Sequence, residues 1–368
     1  MERIPLYKVH MPKAVAKPLL KTLFCGYVTE GPRVAEFEKA FAQWVGNPHT
    51  LATNSCTSSL HIALHECGVK QGTNVVTTPM TCVATNTPIR NLGGAIKWAD
   101  VEQDTGNISA ASVEEKIDDD TRAVMVVHWA GMPCDLDGVH KACRKHGIPV
   151  VEDAAHALGA TYGGKKIGSH SQFACFSFQA IKHISTIDGG ALCCGDAKKE
   201  EDGRRLRWFG LDRNEPRDSI NGFKLMAPDA GYKMNMNDVA ATIGLVQLKY
   251  LDGIVAKHKR NAAFLRSELD GAVELPRVPA ASDPAYWLFT ILLPPSQRRK
   301  VSDHLSACGI DNSTSHMRND IYAPLGGKAV GCEGLEYFSS RMLNIPCGWW
   351  LSQGDLRRIV KAVKEAVK

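Results

Sequence analysis

Residues 176–192 read FSFQAIKHISTIDGGAL and place one lysine, Lys182, between an apolar run and a loop that closes on two glycines. A lysine amine that is desolvated and close to another cation has a lowered pKa and forms a Schiff base with a carbonyl compound. Ser177 precedes Lys182 in the same stretch. The stretch alone favours a solvated surface lysine, so chemistry at Lys182 depends on which other groups lie near it.

A second candidate is the segment LATNSCTSSLHIAL, in which an apolar run is followed by small polar residues and then by a helical pattern. Hydroxyl groups and free amides at a helix N-terminus can converge on a phosphate, assisted by the helix dipole. Simple N-capping explains the same residues equally well. The polar residues are Ser55, Cys56, Thr57, Ser58 and Ser59.

A third candidate is Asp153, which directly follows the apolar run IPVVE and precedes His156 by three residues. A carboxylate at a strand end can act as a base, a metal ligand or a counter-ion to a protonated ring nitrogen, or it can cap a turn. A phosphate cradle, an acid at a strand end and a lysine after an apolar run are together the parts of a pyridoxal phosphate site.

The elements that would position these groups follow an α/β pattern, with short apolar runs alternating with segments of helical period. The clearest unit has a strand at 123–128, a helix at 136–146 ended by Gly147, and a strand at 149–152. In open α/β sheets, ligands bind at the carboxyl ends of the strands. All three candidates fall at such ends.

A helical period from 237 to 268, interrupted at Gly253, predicts a long helix that bridges to a second domain. The run AYWLFTILLP predicts a strand, and the segment from Gln353 predicts a final amphipathic helix. We therefore expect a large cofactor-binding domain with an N-terminal arm at 1–250 and a smaller α+β domain at 251–368.

The composition indicates a globular protein, with 44% hydrophobic and 23% charged residues in 368. A net charge of +5 without a basic run argues against a nucleic-acid partner. The N-terminal residues do not form a signal segment and no run is long enough to cross a membrane, so we expect a cytoplasmic protein. The twelve cysteines are scattered, which favours reduced core cysteines over a metal site.

Five blocks of the chain, in order, resemble the DegT/StrS family of sugar aminotransferases, which are pyridoxal phosphate enzymes of fold type I. The blocks are GYVTEGPRVAEFEKAF, SCTSSLHIAL, VEDAAHALGA, FSFQAIKHISTIDGGAL and GYKMNMNDVAATIGLVQLKYLD. The resemblance implies a large domain with a mostly parallel, mixed sheet flanked by helices, a smaller C-terminal domain, and a homodimer with shared active sites.

The resemblance also implies a role for individual residues. Lys182 would be the Schiff-base lysine and proton shuttle, Asp153 would pair with the pyridinium nitrogen, and His156 would contact the phenolic oxygen. The phosphate would be held by Thr57, Ser58 and Ser177 and, from the partner subunit, by Lys233 in place of the usual asparagine. Cys82 stands where an aromatic residue commonly stacks on the cofactor ring, so ring stacking by that position is in doubt.

By the same resemblance, an amino acid, most simply glutamate, would convert the cofactor to its pyridoxamine form, which then aminates a keto group on a nucleotide-linked sugar. Candidate substrate contacts are Thr29, Lys182, His183, His316, Arg318 and Asn319, the last three lying in STSHMRNDIYAPL. A surface loop explains these three equally well.

Other functions remain open at this stage. The acceptor could instead be a keto-cyclitol or a small phosphorylated ketone. A catalytically silent cofactor-binding regulator is a further alternative, which the presence of both Lys182 and Asp153 argues against. A nicotinamide dehydrogenase is disfavoured because no strand, G-x-G-x-x-G and helix unit is present.

Overall fold

A computed structural model describes residues 2–212, 222 and 230–368, and its elements are numbered in chain order. The strands of the described residues are β1 (Thr50–Thr53), β2 (Asn74–Thr77), β3 (Ala95–Trp98), β4 (Thr121–Val127), β5 (Val150–Asp153), β6 (Thr161–Tyr162), β7 (Lys165–Lys166), β8 (Phe173–Ser177), β9 (Gly190–Cys194), β10 (Ser282–Asp283), β11 (Phe289–Leu292) and β12 (Met342–Ile345). The α-helices of the same residues are α1 (Ala16–Leu23), α2 (Pro32–Val45), α3 (Cys56–Glu66), α4 (Val83–Asn91), α5 (Ala110–Lys116), α6 (Leu136–Arg144), α7 (Ala197–Leu206), α8 (Asp238–Leu269), α9 (Pro295–Ala307), α10 (Glu333–Arg341) and α11 (Gln353–Ala366).

The central sheet has seven strands in the order β1, β9, β8, β5, β4, β2, β3. Strands β8, β5, β4, β2 and β3 pair in parallel, whereas β9 runs antiparallel to both of its neighbours. Helices cover the sheet on both faces, as parallel pairing requires. The predicted α/β fold with a mostly parallel, mixed sheet is therefore confirmed.

The predicted βαβ unit at the centre of this sheet is present as β4, α6 and β5. Asp135 caps α6 by accepting a hydrogen bond from the Gly138 amide. After the helix, Gly147 adopts a φ of 66°, a conformation that glycine takes without a Cβ penalty. Every residue of β5 is buried, so its alternating side chains enter the packing on opposite faces of the sheet.

The long helix α8 begins where the sequence predicts, because the Asn237 side chain accepts a hydrogen bond from the Ala240 amide. Gly253 does not interrupt it. Its composition and length would suffice to cross a membrane, but 56% of its most apolar window is buried within the protein. It packs on α1 and α2 near its start and on α11 farther along, which is the placement of a core helix.

A second core surrounds the antiparallel pair of β11 and β12, with α9 and α11 packed against it. The N-terminal residue Ile4 joins this core and pairs with Ile310, so the first residues of the chain contact the C-terminal part. The expected boundary at residue 250 falls inside α8. A division into two domains joined by this helix stays a prediction.

Candidate active site

A cavity of about 500 Å³ opens at the carboxyl ends of β4, β5 and β8, where an α/β sheet is expected to bind a ligand. It brings together residues that are far apart in the sequence. The predicted site residues that line it are Thr57, Cys82, Asp153, His156, Ser177, Lys182 and His316.

Lys182 lies in the turn after β8, where its backbone amide donates to the carbonyl of Gln179 at 2.9 Å. Its Nζ atom sits 3.9 Å from the centroid of the Trp287 ring. Burial lowers the pKa of the amine to about 8, and the nearby charge of Asp153 limits the decrease. At neutral pH, a larger fraction of Lys182 is therefore the neutral, nucleophilic amine than in a surface lysine.

Asp153 ends β5 and points its carboxylate into the cavity, where three groups hold it. The Thr85 hydroxyl donates to Oδ2 at 2.7 Å, and the Ala155 amide donates to Oδ1 at 3.0 Å. The Cys56 thiol lies 3.9 Å from Oδ1. The neighbouring residue, Glu152, faces the opposite side of the sheet and pairs with His128. The strand alternation therefore delivers one of two adjacent carboxylates to the cavity.

The N-terminus of α3 forms the floor of the cavity beside β9. Ser55 caps the helix by accepting from the Ser58 amide at 3.1 Å, which leaves the amides of Cys56 and Thr57 without an intrahelical acceptor. A Cβ on Gly190 would lie 2.5 Å from the Cys56 nitrogen. Glycine at this position therefore permits the close approach of β9 to these free donors.

Ser58, a predicted phosphate contact, is not brought to this cavity. Its hydroxyl donates to the Asn54 side chain at 2.5 Å and lies 2.9 Å from the Ser55 hydroxyl, lining a neighbouring pocket. The reason is helical geometry, because successive side chains of α3 point about 100° apart. Ser55, which sequence reasoning treated only as part of the polar segment, lines the cavity instead.

His156 and His316 line another part of the cavity, and Trp287 stacks on His156 behind them, so we call these three aromatic side chains the ring wall. His156 stacks on Trp287 with centroids 3.9 Å apart, and His316 lies 5.5 Å from His156. Burial and the charge of Lys182 lower the pKa of both imidazoles, that of His316 to about 4. His156 Nδ1 and His316 Nε2 are buried without a hydrogen-bond partner, so both neutral rings keep a polar atom for a ligand.

Two of the three candidates in the segment around His316 do not line the cavity and instead bond to other protein groups. Arg318 forms a fork with Asp320, with distances of 2.6 and 2.7 Å, and a further ion pair with Glu336. Asn319 is fully buried, donates to the Thr81 carbonyl and accepts from the Asn86 amide. Both side chains already have protein partners in this structure, so a contact of either with the substrate stays a prediction.

The remaining candidates also lie outside the cavity. Thr29 is exposed and its carbonyl accepts from the Asp238 amide. His183 is buried beneath Lys182, where its Nε2 donates to the Ala285 carbonyl and its ring faces His258. His183 therefore does not line the cavity in this structure, and a substrate contact by it stays a prediction. Lys233 is exposed and donates to Asn235 at 2.6 Å, so a contact with a partner subunit's cofactor stays a prediction.

Sequence reasoning missed Thr85 and Trp287. Thr85 follows the TPMTC segment by one helical turn, and this spacing after a strand end could have indicated it. Trp287 lies in an apolar run that predicts only a strand. No local pattern shows that its ring reaches Lys182.

A lysine, an acid and helix-terminal amides thus meet in one cavity at the strand ends, as expected of an aminotransferase. The chain belongs to the DegT/DnrJ/EryC1/StrS aminotransferase family, whose profile matches residues 11–364. The predictions of the family and of a transaminase are therefore confirmed.

Individual relatives are similar to this chain over nearly the whole length of both proteins. The sugar aminotransferase CalS13 from Micromonospora echinospora has a TM-score of 0.93 and 34% identity, covering 98% of this chain and 99% of its own. DesV from S. venezuelae, solved in complex with a ketimine intermediate, has a TM-score of 0.91 and 28% identity, covering 100% and 99%. The spore coat polysaccharide biosynthesis protein SpsC of Bacillus subtilis is 31% identical over 97% of this chain and 95% of its own.

Proposed function

We propose that this protein is a pyridoxal phosphate-dependent aminotransferase that moves an amino group from glutamate to a keto group of a nucleotide-linked sugar. The observation that carries the proposal is the placement of Lys182. Its amine lies in the same cavity as Asp153 and the free amides of α3, and burial lowers its pKa to about 8.

The residues present fit the cofactor at each of its functional groups. The amides of Cys56 and Thr57, with the hydroxyls of Thr57 and Ser177 lining the same cavity, offer donors to a phosphate. Asp153 is fixed by two hydrogen bonds and could accept one from a protonated ring nitrogen. His156 keeps a buried Nδ1 without a partner, which suits a contact to the ring's phenolic oxygen.

The cofactor, when bound, supplies an electron sink that stabilises negative charge on the substrate carbon. Lys182 supplies the proton transfers, since an amine with a pKa of about 8 can both accept and release a proton near neutral pH. Asp153 holds positive charge at the ring nitrogen's position. The neutral rings of His156 and His316 exclude water and can each offer one hydrogen bond without adding charge.

The acceptor has a second candidate, a keto-cyclitol. Among the described residues that line the cavity, Lys182 is the only lysine or arginine. A diphosphate group normally meets cationic side chains, so the lining supports an acceptor that is uncharged near the reacting carbon. CalS13 is described as a sugar aminotransferase, which favours the sugar as the first candidate.

A homodimer with shared active sites is part of the proposal. Apolar side chains are exposed on α1 and the loop after it, among them Leu20, Phe24, Tyr27 and Val28, with Phe24 84% exposed. A patch of this kind is typical of a protein–protein interface. A role for Lys233 at the partner's phosphate would require such a dimer. Location in the cytoplasm stays a prediction.

The test is the absorbance spectrum of the protein with pyridoxal phosphate, before and after addition of glutamate. We expect the band of the lysine-bound cofactor to be replaced by that of the pyridoxamine form. Lys182→Ala should lose this conversion, whereas Lys198→Ala, which changes an exposed lysine on α7, should keep it. A wild-type protein that binds no cofactor would overturn the proposal.

The acceptor is tested by offering the glutamate-treated protein either a nucleotide-linked keto-sugar or a keto-cyclitol. Return of the initial spectrum with the first compound supports the sugar. Return with the second compound alone would replace the sugar by the cyclitol.

A further inference from the structure

We propose that Trp287 is a positioning residue for Lys182, and that its indole face holds the protonated amine whenever that amine is not bonded to the cofactor. Only the reference to the cofactor rests on the proposed function, because the contact between Trp287 and Lys182 is present in the protein without any ligand. Trp287 does not line the cavity and acts through Lys182.

The first argument is geometric. The Lys182 Nζ atom lies 3.9 Å from the indole centroid, well inside the distance of about 6 Å at which a cation is attracted to an aromatic face. Tryptophan provides the strongest such attraction among the aromatic residues, and desolvation strengthens it. Trp287 is 3% exposed, so this contact is shielded from water.

The second argument is that the indole is held in place from several sides. Its Nε1 donates to the Ile181 carbonyl at 2.9 Å, which ties the ring to the residue before Lys182. His156 stacks at 3.9 Å between centroids, and Tyr7 stacks at 5.1 Å. A ring fixed in this way presents one face to the amine and cannot turn away without breaking these contacts.

The third argument concerns charge. Within the described part of the chain, no carboxylate forms a hydrogen bond with the Lys182 amine, so no close ion pair holds the ammonium form. Asp153 acts on it only through space. Other titratable groups around the amine are Cys56, Cys82 and three imidazoles, those of His156, His183 and His316, and Asp188 lines the same cavity. The three imidazoles are neutral at pH 7, so the indole is the aromatic surface that favours the protonated amine.

The consequence is that two features of the site act in opposite directions on the protonation of the Lys182 amine. Burial favours the neutral form, which attacks a carbonyl, and the indole favours the charged form, which can donate a proton. When an aliphatic side chain replaces the indole, burial still lowers the pKa of Lys182, but the attraction that raises this pKa is lost. We therefore expect the amine of such a variant to titrate about one pH unit lower, the equivalent of a cation–π contact of ordinary strength.

The experiment measures the rate at which a small acylating reagent modifies Lys182 as a function of pH, in the full chain dialysed free of cofactor, with peptide mass spectrometry as the readout. The variants are Trp287→Leu and Trp287→Phe. We expect the midpoint pH to be highest in the wild type, lower in Trp287→Phe and lowest in Trp287→Leu, about one unit below the wild type. The midpoint is compared rather than the rate, because a smaller side chain also changes access to the amine.

The matched control is Trp129→Phe. Trp129 is equally buried and packs in the same apolar cluster, against Phe338, but it does not contact Lys182. This control should leave the midpoint unchanged. A Trp287→Leu protein that is folded by circular dichroism and has the wild-type midpoint would overturn the inference. If that variant does not fold, an unchanged midpoint in Trp287→Phe does the same.

The outcome is separable from that of the proposed function. If the protein fails to convert the cofactor with glutamate but the midpoint shifts, the contact is real and the reaction is wrong. If conversion occurs without a midpoint shift, the reaction stands and Trp287 has only a packing role. In a working enzyme, Trp287→Leu should also move the alkaline limb of the kcat profile in the same direction.

Discussion

The two sides of the cavity are built in different ways. On the side of the central sheet, Asp153, Lys182 and the α3 amides each follow directly from the end of a strand or the start of a helix. On the ring wall, Trp287 and His316 come from the C-terminal part of the chain and stack on His156, which follows β5 by three residues. Backbone geometry therefore fixes the first side, whereas the second also depends on packing between distant segments. Substitutions should reduce turnover most on the first side, and should change stability, fit or the pKa of Lys182 on the second.

The largest effect is expected for Asp153→Asn on the sheet side. The variant keeps the shape but loses the charge that would pair with a ring nitrogen, so kcat should fall on the order of 100-fold or more, the cost of losing one member of a buried charged pair. Single-turnover conversion of the cofactor by glutamate measures it. Thermal stability serves as the control, and a stable variant with wild-type turnover would contradict the assignment of Asp153.

The next effect is expected for Arg318→Ala behind the ring wall. This change leaves Asp320, which is 2% exposed, without its fork partner, and removal of one member of a partly buried pair costs about 2 kcal/mol. Denaturant unfolding should show this loss. Arg299→Ala, which removes an exposed ion pair on α9, should change stability by less than about 0.5 kcal/mol. An Arg318→Ala protein of unchanged stability and raised KM would instead restore the role of Arg318 in substrate binding.

An intermediate effect is expected on the pH dependence of stability, because His183 and His258 are buried next to each other. Burial lowers the pKa of His258 to about 4 and that of His183 well below its usual value. Between pH 6.5 and 4 the unfolded chain therefore binds more protons than the folded one, and stability falls as the pH falls. His258 alone should contribute a loss of about 2 kcal/mol at pH 5.

The measurement is the unfolding free energy at pH 7 and pH 5 for the wild type and His258→Asn. Asparagine can still donate to the Tyr286 carbonyl, which His258 Nδ1 contacts at 2.8 Å, but it does not titrate. The difference between the two pH values should be smaller in the variant. Equal differences would show that His258 does not carry the acid sensitivity.

The smallest effect compares two neighbouring hydroxyls on α3. Thr57→Ala removes a group that lines the cavity, so the dissociation constant for pyridoxal phosphate should rise about tenfold, as for a lost hydrogen bond to a charged group. Ser58→Ala changes a hydroxyl that bonds to Asn54 and should alter that constant less than about twofold. Titration of the cofactor absorbance distinguishes the two, and the reverse order would place Ser58 at the phosphate.

The same contrast explains what the sequence could predict. Residues such as Asp153 and Lys182 are next to strand ends in the chain, so periodicity and local residue types are enough to find them. Trp287 reaches Lys182 only because the C-terminal part folds back on the sheet, and no local pattern encodes that contact. Arg318 looks unpaired in the sequence because it is a cationic side chain in a loop, but the structure pairs it with Asp320 two residues later.

Helix α8 has a consequence for how the two main cores can move relative to each other. It is continuous over 32 residues, or roughly 48 Å at the helical rise, and contributes side chains to both main cores. Its earlier residues, such as Leu251 and Val255, pack in the core of the central sheet, and its last turns, with Leu265 and Leu269, pack in the core around β11 and β12. An unbroken helix resists bending, so one rigid element is shared by both cores and limits how far they can move apart.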